Sequence, residues 1–165
     1  SSSLRPGDGQ AELLVEAEQR LLESRHRVCI VRFSGIYGRM PSRLLERIKQ
    51  GKIVKPSPVH FSNRIHRDDC VGFLLHLLAD PDRAELYLAS DNAPAPQHEV
   101  ERWLAAELGV DNPEESVDPM PGNRRCRNAR MRATGYRLKY PDYRSGYRAM
   151  MTSTSMSAPF GSAAT

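Results

Sequence analysis

Two segments of this sequence place polar and glycine residues directly after an apolar stretch. The first is Val-Arg-Phe-Ser-Gly-Ile-Tyr-Gly at residues 31–38, and the second is Asn-Arg-Ile-His-Arg-Asp-Asp at residues 63–69. Open α/β sheets bind their ligands at the carboxyl ends of strands, where residues of this kind can contact a bound molecule. The two segments therefore predict a ligand cleft, although a strand end followed by a glycine turn would give the same pattern.

The other potentially reactive side chains favour structural roles. We expect His66 to be hydrogen-bonded inside the fold, and Asp68 or Asp69 to cap the helix that follows. The remaining histidines show no metal-ligand spacing, so we predict no metal site. No Ser/His/Asp, Cys/His or Gly-x-Ser-x-Gly arrangement occurs in the sequence, so nothing in it indicates hydrolase chemistry.

A basic cluster occupies the last third of the sequence. Nine arginine or lysine residues and one acid, Asp142, lie between Arg124 and Arg148. Such a cluster can bind the phosphates of a dinucleotide, a sugar nucleotide or a nucleic acid. Glycine and proline interrupt it, and its tyrosines are spaced for packing, which argues against nucleic acid. The pattern favours a solvated face, or ion pairs with an acidic segment upstream.

Hydrophobic periodicity predicts the elements that must position these residues. Apolar residues at helical spacing predict helices at 10–23, 41–50, 70–78, 96–108, 128–134 and 143–150. Short apolar runs predict strands at 28–33, around His60 and at 85–89. Because helices and strands alternate, we expect an α/β fold with a parallel sheet.

Composition indicates one globular unit followed by a tail. The 165 residues are 39% hydrophobic and 27% charged, with a net charge of +4, and can bury one core. We assign residues 1–150 to that unit and predict that residues 151–165, rich in Ser, Thr and Ala, are disordered. No apolar run approaches the roughly 20 residues of a membrane span. Three widely spaced cysteines, and no secretory apolar region near the start, favour the cytoplasm.

The sequence predicts too few strands for a complete parallel sheet. The run at 28–33 is nearly continuous and rich in β-branched residues, as in a parallel strand covered on both faces. Two or three strands cannot form such a sheet, and an uncovered edge would present unpaired backbone groups. The sequence also starts without a methionine, on a helix that no strand precedes. We therefore expect further strands upstream and a longer protein of which this is a piece.

Several motifs resemble a known family. Ala17-Glu18, residues 32–38, residues 65–69, and residues 86–92 followed by Pro96 are similar to the extended short-chain dehydrogenase/reductases, the NAD(P)-dependent sugar epimerases and dehydratases. Residues 124–131, with Gly135-Tyr136 and Tyr140-Pro141, resemble a branch of NAD(P)-binding proteins of uncertain activity. The resemblance covers residues 6–150. It implies the carboxyl-terminal part of a doubly wound, Rossmann-like NAD(P)-binding fold with a small substrate lobe.

The resemblance also implies a cofactor and its contacts. The cofactor is NAD or NADP, and the wall of its nicotinamide pocket is formed by Phe33, Ser34, Gly35, Ile36 and Tyr37. Ser34 and Gly35 would let the chain approach a planar ring closely and leave backbone groups free for a carboxamide. The family's glycine-rich dinucleotide fingerprint would lie upstream, in an N-terminal half that this sequence does not contain.

The substrate implied by the resemblance is a small molecule, with sugar nucleotides as the family's class. Family members use a cationic side chain near the second segment to hold a substrate phosphate. Arg64 and His66 are the candidates for this contact, with the structural role given above as the favoured alternative for His66.

The family's Tyr-x-x-x-Lys pair is replaced in this sequence. It would lie on the first helix, where Gln10 and Leu14 occupy the two positions. Glutamine cannot donate a proton as a phenol does, and leucine cannot lower a phenol's pKa or bind ribose hydroxyls. We therefore expect a fragment of an NAD(P)-dependent epimerase/dehydratase or reductase-like protein that is inactive alone. A catalytically silent NAD(P) sensor or interaction protein, and a basic nucleic-acid-binding module, are the alternatives.

Overall fold

The computed structural model describes residues 9–39, 41–119 and 123–156. Helices and strands alternate along these residues, as the sequence predicts. In chain order they are α1 (Gly9–Leu22), β1 (Ile30–Phe33), β2 (Gly35–Tyr37), α2 (Arg43–Lys49), β3 (Lys52–Val54), β4 (Phe61–Ser62), β5 (Arg64–His66), α3 (Arg67–Ala79), β6 (Leu86–Ala89), β7 (Ala95–Pro96), α4 (Gln97–Glu107), β8 (Glu114–Val117), α5 (Ala129–Ala133) and α6 (Tyr143–Met156).

Two consecutive strands each pair in parallel with a later strand. β1 pairs with β6, and Phe33 lies opposite Ala89 at the carboxyl end of the pair. β2 pairs with β5, and Gly35 lies opposite Arg64. β3 and β8 form a third parallel pair, whereas the two-residue strands β4 and β7 are antiparallel. The parallel pairs, each joined through helices, confirm the predicted α/β class.

The core consists of two clusters that lie on either side of β2 and β5. In the first, α2, β3, α4 and α6 contribute the buried residues Leu45, Ile48, Ile53, Val100, Leu104, Ala105, Tyr143, Tyr147 and Met150. In the second, α3, β5, β6 and α5 contribute Ile65, Cys70, Phe73, Leu77, Tyr87, Ala89 and Met131. β5 is buried at all three of its residues because helices cover it on both sides. It is therefore the best-packed strand of the described chain, and its side chains have fixed positions.

The start of α3 differs from the prediction. His66, not Asp68 or Asp69, is the N-cap, because its Nδ1 accepts a hydrogen bond from the Asp68 amide at 3.2 Å. Asp69 is fully buried and accepts hydrogen bonds from Lys139 N at 2.7 Å and Tyr140 N at 3.0 Å. The carboxylate therefore holds the segment before α6, and it does so across about seventy residues of sequence.

Two strands and the last helix also depart from the prediction. β3 and β8 lie in segments where the sequence predicts neither a helix nor a strand, and they pair with each other. α6 continues to Met156, so the first six residues of the tail predicted to be disordered are helical. The rest of that tail, 157–165, lies outside the described residues. β1, expected to be covered on both faces, is half-buried at each of its four residues.

None of the described helices is long and apolar enough to cross a membrane.

Candidate functional site

The carboxyl ends of β1 and β6 meet the amino ends of β2 and β5. Ser34 N donates to Ala89 O at 2.9 Å, and Gly35 N donates to Asn63 O at 3.1 Å. On the other side of β5, Asp91 N donates to Arg64 O at 2.7 Å. These bonds join the two parallel pairs and bring both segments singled out in the sequence to the edge where β1 and β6 end. Ligands of open α/β sheets bind at such an edge.

Gly35 sits where the chain approaches its neighbour most closely. A Cβ atom at this position would lie 3.0 Å from Asn63 O, so a side chain would push the two strands apart. The amides of Ser34 and Gly35 are both engaged in the sheet, so the expectation of free backbone groups does not hold for these two N–H groups. The Ser34 hydroxyl, in contrast, is buried and has no hydrogen-bond partner among the described residues.

Ile36 gives this edge an apolar surface. Its side chain is 59% exposed although it belongs to a strand, and Ser34, whose buried hydroxyl has no described partner, stands two residues before it in sequence. A flat ring needs an apolar surface and a carboxamide needs a polar partner beside it. The residue types of the Ser34–Tyr37 edge are compatible with these two requirements.

A cavity of about 430 Å³ opens beside the same edge. Its lining includes Gly35, Arg39, His60, Arg64 and Gln97, and α6 closes it with Tyr147. No aspartate or glutamate lines the cavity, although two arginines and a histidine do. The cavity therefore has a positive potential and suits an anionic ligand.

Arg64 is the buried cation of this cavity. Its side chain lies over the Tyr143 ring at 5.9 Å, and the residue is 8% exposed. Its Nη1 atom has no hydrogen-bond partner among the described residues, and no described carboxylate forms an ion pair with it. A buried guanidinium with an open donor is costly to the fold, and an anion in the cavity would compensate it.

Asp91 interacts electrostatically with Arg64, although the two side chains form no direct ion pair. The residue is 2% exposed, its Oδ1 accepts from Ala93 N at 3.0 Å, and its Oδ2 has no partner among the described residues. Burial raises the pKa of Asp91 to about 6. Asp91 is not among the site residues predicted from the sequence, although an acid directly after the strand at 85–89 would have indicated it.

Tyr37 links the edge to α6. Its ring stacks on Tyr147 at 4.5 Å and meets His66 edge-on at 5.2 Å. The Tyr37 hydroxyl is buried without a partner in the described chain, and burial raises the pKa of this phenol above its usual value. A Cβ at Gly146 would overlap that hydroxyl, so the glycine lets α6 pack against it. Tyr37 is therefore a neutral, packed side chain.

His66 lies behind the cavity and not in its lining. It is 4% exposed, contacts the Tyr140 ring at 4.1 Å between ring centres, and caps α3 through Nδ1. Burial lowers the pKa of His66, so the imidazole is neutral at pH 7. The structure thus brings Arg64, but not His66, to the cavity.

α1 carries the two positions where the resemblance places the Tyr-x-x-x-Lys pair. Leu14 is 66% exposed on this helix, and the side chain of Gln10 lies outside the described residues. Glu18, one turn further on, accepts a hydrogen bond from Arg32 Nε at 2.9 Å, and this bond lowers the pKa of Glu18. The Glu18–Arg32 pair fixes α1 against β1. No group of three potential metal ligands occurs in the described chain.

Comparison with known proteins gives structural neighbours. No family model matches the sequence, and no curated protein matches it either. A putative NAD-dependent epimerase/dehydratase from Methylobacillus flagellatus is 37% identical, with a TM-score of 0.75 over 93% of this chain. A conserved protein of unknown function from Silicibacter pomeroyi is 29% identical, with a TM-score of 0.79 over 93% of this chain. A dTDP-glucose 4,6-dehydratase from Bacillus anthracis, in complex with NAD, is 15% identical with a TM-score of 0.76 over 95%.

The neighbours are longer than this chain, which matches only part of each of them. This chain spans 57% of the first neighbour, 59% of the second and 55% of the third. The resemblance to NAD-dependent epimerase/dehydratase structures is confirmed at the level of the fold, and so is the Rossmann-like class. The chain corresponds to a little over half of such a protein.

Proposed function

We propose that this chain, which has the fold of part of an NAD-dependent epimerase/dehydratase, forms the nicotinamide-side wall of an NAD(P) cleft and the substrate cavity beside it. The observation that carries the proposal is the meeting of the Ser34–Tyr37 edge with the Arg64 cavity at the carboxyl ends of β1 and β6, where β2 and β5 begin. A cofactor ring on Ile36 and an anionic substrate on Arg64 would then be neighbours.

The cofactor part of the proposal concerns Phe33 to Tyr37. The exposed Ile36 side chain would support one face of the ring, and the unpartnered Ser34 hydroxyl is the candidate partner for the carboxamide. When bound, NAD(P) supplies a site that accepts or donates a hydride. The pyrophosphate and adenosine would be held by a preceding half of the protein. β1 pairs with β6 along one edge, and no described strand pairs with its other edge. That open edge supports this arrangement.

The substrate part of the proposal concerns Arg64. The guanidinium would bind a phosphate or carboxylate group of a small molecule, in the bidentate way that arginine favours. Sugar nucleotides are one class of such molecules. Gln97 and His60, which also line the cavity, can hydrogen-bond the uncharged part of the ligand.

A second function has an observation of its own. Leu14 presents an exposed apolar side chain where the resemblance places the lysine, and neither Leu14 nor Gln10 can transfer a proton. A protein with this helix can bind NAD(P) and a ligand without converting the ligand. A sensor that reports the redox state of the cofactor is therefore the alternative to an enzyme.

The test uses the longest natural protein that contains this sequence. NADH and NADPH are titrated by calorimetry, and Ile36→Asp is compared with Val59→Asp, since both residues are exposed β-branched side chains at 59% and 54%. We expect Ile36→Asp to weaken cofactor binding about tenfold or more, because the carboxylate faces the ring and carboxamide. Val59→Asp should change it less than about twofold. Folded wild-type protein that binds neither cofactor would contradict the proposal.

Turnover separates the two functions once binding is established. Hydride transfer to or from the bound cofactor, with phosphate-bearing or carboxylate-bearing sugars as substrates, would support the enzyme. Tight cofactor binding with no turnover of any of these compounds would support the sensor.

A further inference from the structure

The basic cluster of residues 124–148 is divided by the structure into two groups. Members of the first group have partners: Lys139 pairs with Asp68, Arg148 pairs with Glu107, Arg130 donates to Leu86 O, and Arg125 and Arg144 lie over aromatic rings. The second group consists of Arg124, Arg127, Arg132 and Arg137. Within the described chain, no hydrogen bond, ion pair or ring contact engages the guanidinium groups of these four residues.

Three members of the second group line two clefts that share Arg132 and Asn92. Arg132 lines two clefts, of about 410 and 280 Å³, and both clefts also include Asn92. Arg137 lines the larger cleft and Arg127 the smaller one. We call Arg127, Arg132 and Arg137 the arginine rim. The rim shares no lining residue with the Arg64 cavity, so it is a separate feature of the molecule.

The backbone that carries the arginine rim is held in place. Asn128, between Arg127 and α5, is 8% exposed and donates through Nδ2 to Ser90 O at 2.8 Å and to Asn92 Oδ1 at 2.8 Å. Arg137 follows Tyr136, whose hydroxyl donates to Asp69 Oδ1 at 3.1 Å. Binding a ligand would therefore order three side chains and leave the backbone as it is, which lowers the entropic cost.

The charge of the arginine rim indicates its ligand. Arginine side chains that line adjoining clefts repel each other, and an anion bound between them removes that repulsion. The one acid in the lining, Asp91, is 2% exposed and does not offset them at the surface. Guanidinium groups match phosphate oxygens in bidentate geometry, and two adjoining clefts suit a ligand with more than one phosphate.

We propose that the arginine rim binds the phosphate groups of a small molecule that carries two or more of them. The proposal does not depend on the cofactor cleft or on Arg64. It concerns a second anion site, formed by α5 and the segments on either side of it.

The test titrates the full chain with inorganic pyrophosphate and triphosphate, without NAD(P), by calorimetry and two-dimensional NMR. We expect saturable binding that weakens with added salt, with shifts at Asn92, Arg132 and Gly135. Arg132→Gln should weaken binding about tenfold, as expected for the loss of a charge-assisted contact. Arg130→Gln, the same change on the same short helix but outside both clefts, should alter it less than about twofold.

Three results would overturn the proposal. The first is binding that does not saturate, and the second is an equal loss in Arg130→Gln and Arg132→Gln, because either one would indicate non-specific attraction. The third is a single-stranded oligonucleotide that binds the rim more tightly than triphosphate, with affinity rising with its length, which would identify a nucleic acid as the ligand. Loss of cofactor binding in the longer protein would leave this result unchanged, so the two proposals fail independently.

Discussion

The guanidinium groups of Arg64 and Arg47 differ in their partners. Arg47 Nη2 contacts Glu101 Oε1 at 2.7 Å, and Glu101 is fully buried. Arg64 is buried as well, but its Nη1 atom has no partner among the described residues. Asp91 interacts with Arg64 electrostatically but forms no direct ion pair with it, so the buried guanidinium keeps a donor that a ligand could engage.

The contrast predicts different effects of the same substitution. Arg64→Gln should weaken the binding of a phosphate-bearing or carboxylate-bearing ligand in the cavity about tenfold or more, and it should lower the free energy of unfolding by less than Arg47→Gln does, because Arg64 forms no direct ion pair with Asp91. Arg47→Gln should lower the free energy of unfolding by about 3 kcal/mol, because it leaves the Glu101 carboxylate buried without its cation. Urea unfolding and ligand titration of both variants measure the two effects. A large loss of stability in Arg64→Gln with unchanged binding would assign Arg64 to the fold.

The buried carboxyl group of Asp91 predicts a pH dependence of the stability. Burial raises the pKa of Asp91 to about 6 from an ordinary value of 3.8. The folded state therefore holds the proton more tightly than the unfolded state, and stability falls as pH rises from about 4 to about 6. Asp91→Asn removes this loss, so the variant should be about 2–3 kcal/mol more stable than the wild type at pH 7 and about equal to it below pH 4.

Chemical unfolding of both proteins at several pH values measures the difference. Taking the difference cancels the contribution of the other titrating groups. A constant difference between pH 4 and pH 7 would contradict the prediction, since the stabilisation would then come from packing and not from the carboxylate.

Among the elements, α3 and the segment before α6 are joined by a single carboxylate. Asp69 Oδ1 accepts from Lys139 N at 2.7 Å and from the Tyr136 hydroxyl at 3.1 Å, and Oδ2 accepts from Tyr140 N at 3.0 Å. Asp68, next to it, is partly exposed and pairs with Lys139 Nζ at 3.2 Å on the surface. Two adjacent aspartates in the first turn of one helix thus have different roles.

Substituting each aspartate by alanine separates these roles. Asp69→Ala leaves buried N–H groups without an acceptor and should lower the free energy of unfolding by about 3 kcal/mol. Asp68→Ala removes a surface ion pair and should cost less than about 1 kcal/mol. Hydrogen exchange provides a second measurement: the amides of Lys139 and Tyr140 should lose protection in Asp69→Ala and keep it in Asp68→Ala. Equal effects of the two substitutions would be incompatible with this role for Asp69.

These elements also show how far the sequence predicts the structure. The helices and the strand at 85–89 follow from apolar periodicity, and the glycine and polar residues after β1 predict the edge at Ser34–Tyr37. β3 and β8 are three- and four-residue strands without a distinctive pattern, so their pairing is visible only in the fold. Asp69 and Asp91 resemble a helix cap and a loop acid in sequence. Their burial depends on α6 and the segment before it, which lie about fifty residues or more away in sequence.

At the scale of the whole molecule, two helices present apolar side chains to solvent. On α1, Leu13, Leu14, Leu21 and Leu22 are 49–67% exposed, and on α3, Val71, Leu74, Leu75 and Leu78 are 43–74% exposed. α3 is apolar on all sides, since Cys70, Phe73 and Leu77 fill its buried face. Helices of that kind are buried in complete domains. Together with the free edge of β1, these faces favour a preceding half that packs against them.

Leu78 on α3 provides the test of that arrangement, because it is 74% exposed in this chain. If a preceding half covers this face, Leu78→Glu should lower the free energy of unfolding of the longer natural protein by about 3 kcal/mol, owing to the buried carboxylate. In the present chain alone the same change should stay within about 0.5 kcal/mol and should reduce self-association. Leu77→Glu, at a position 3% exposed, should destabilise both proteins and serves as the positive control. Equal stability of Leu78→Glu and wild type in the longer protein would show that this face of α3 remains exposed there.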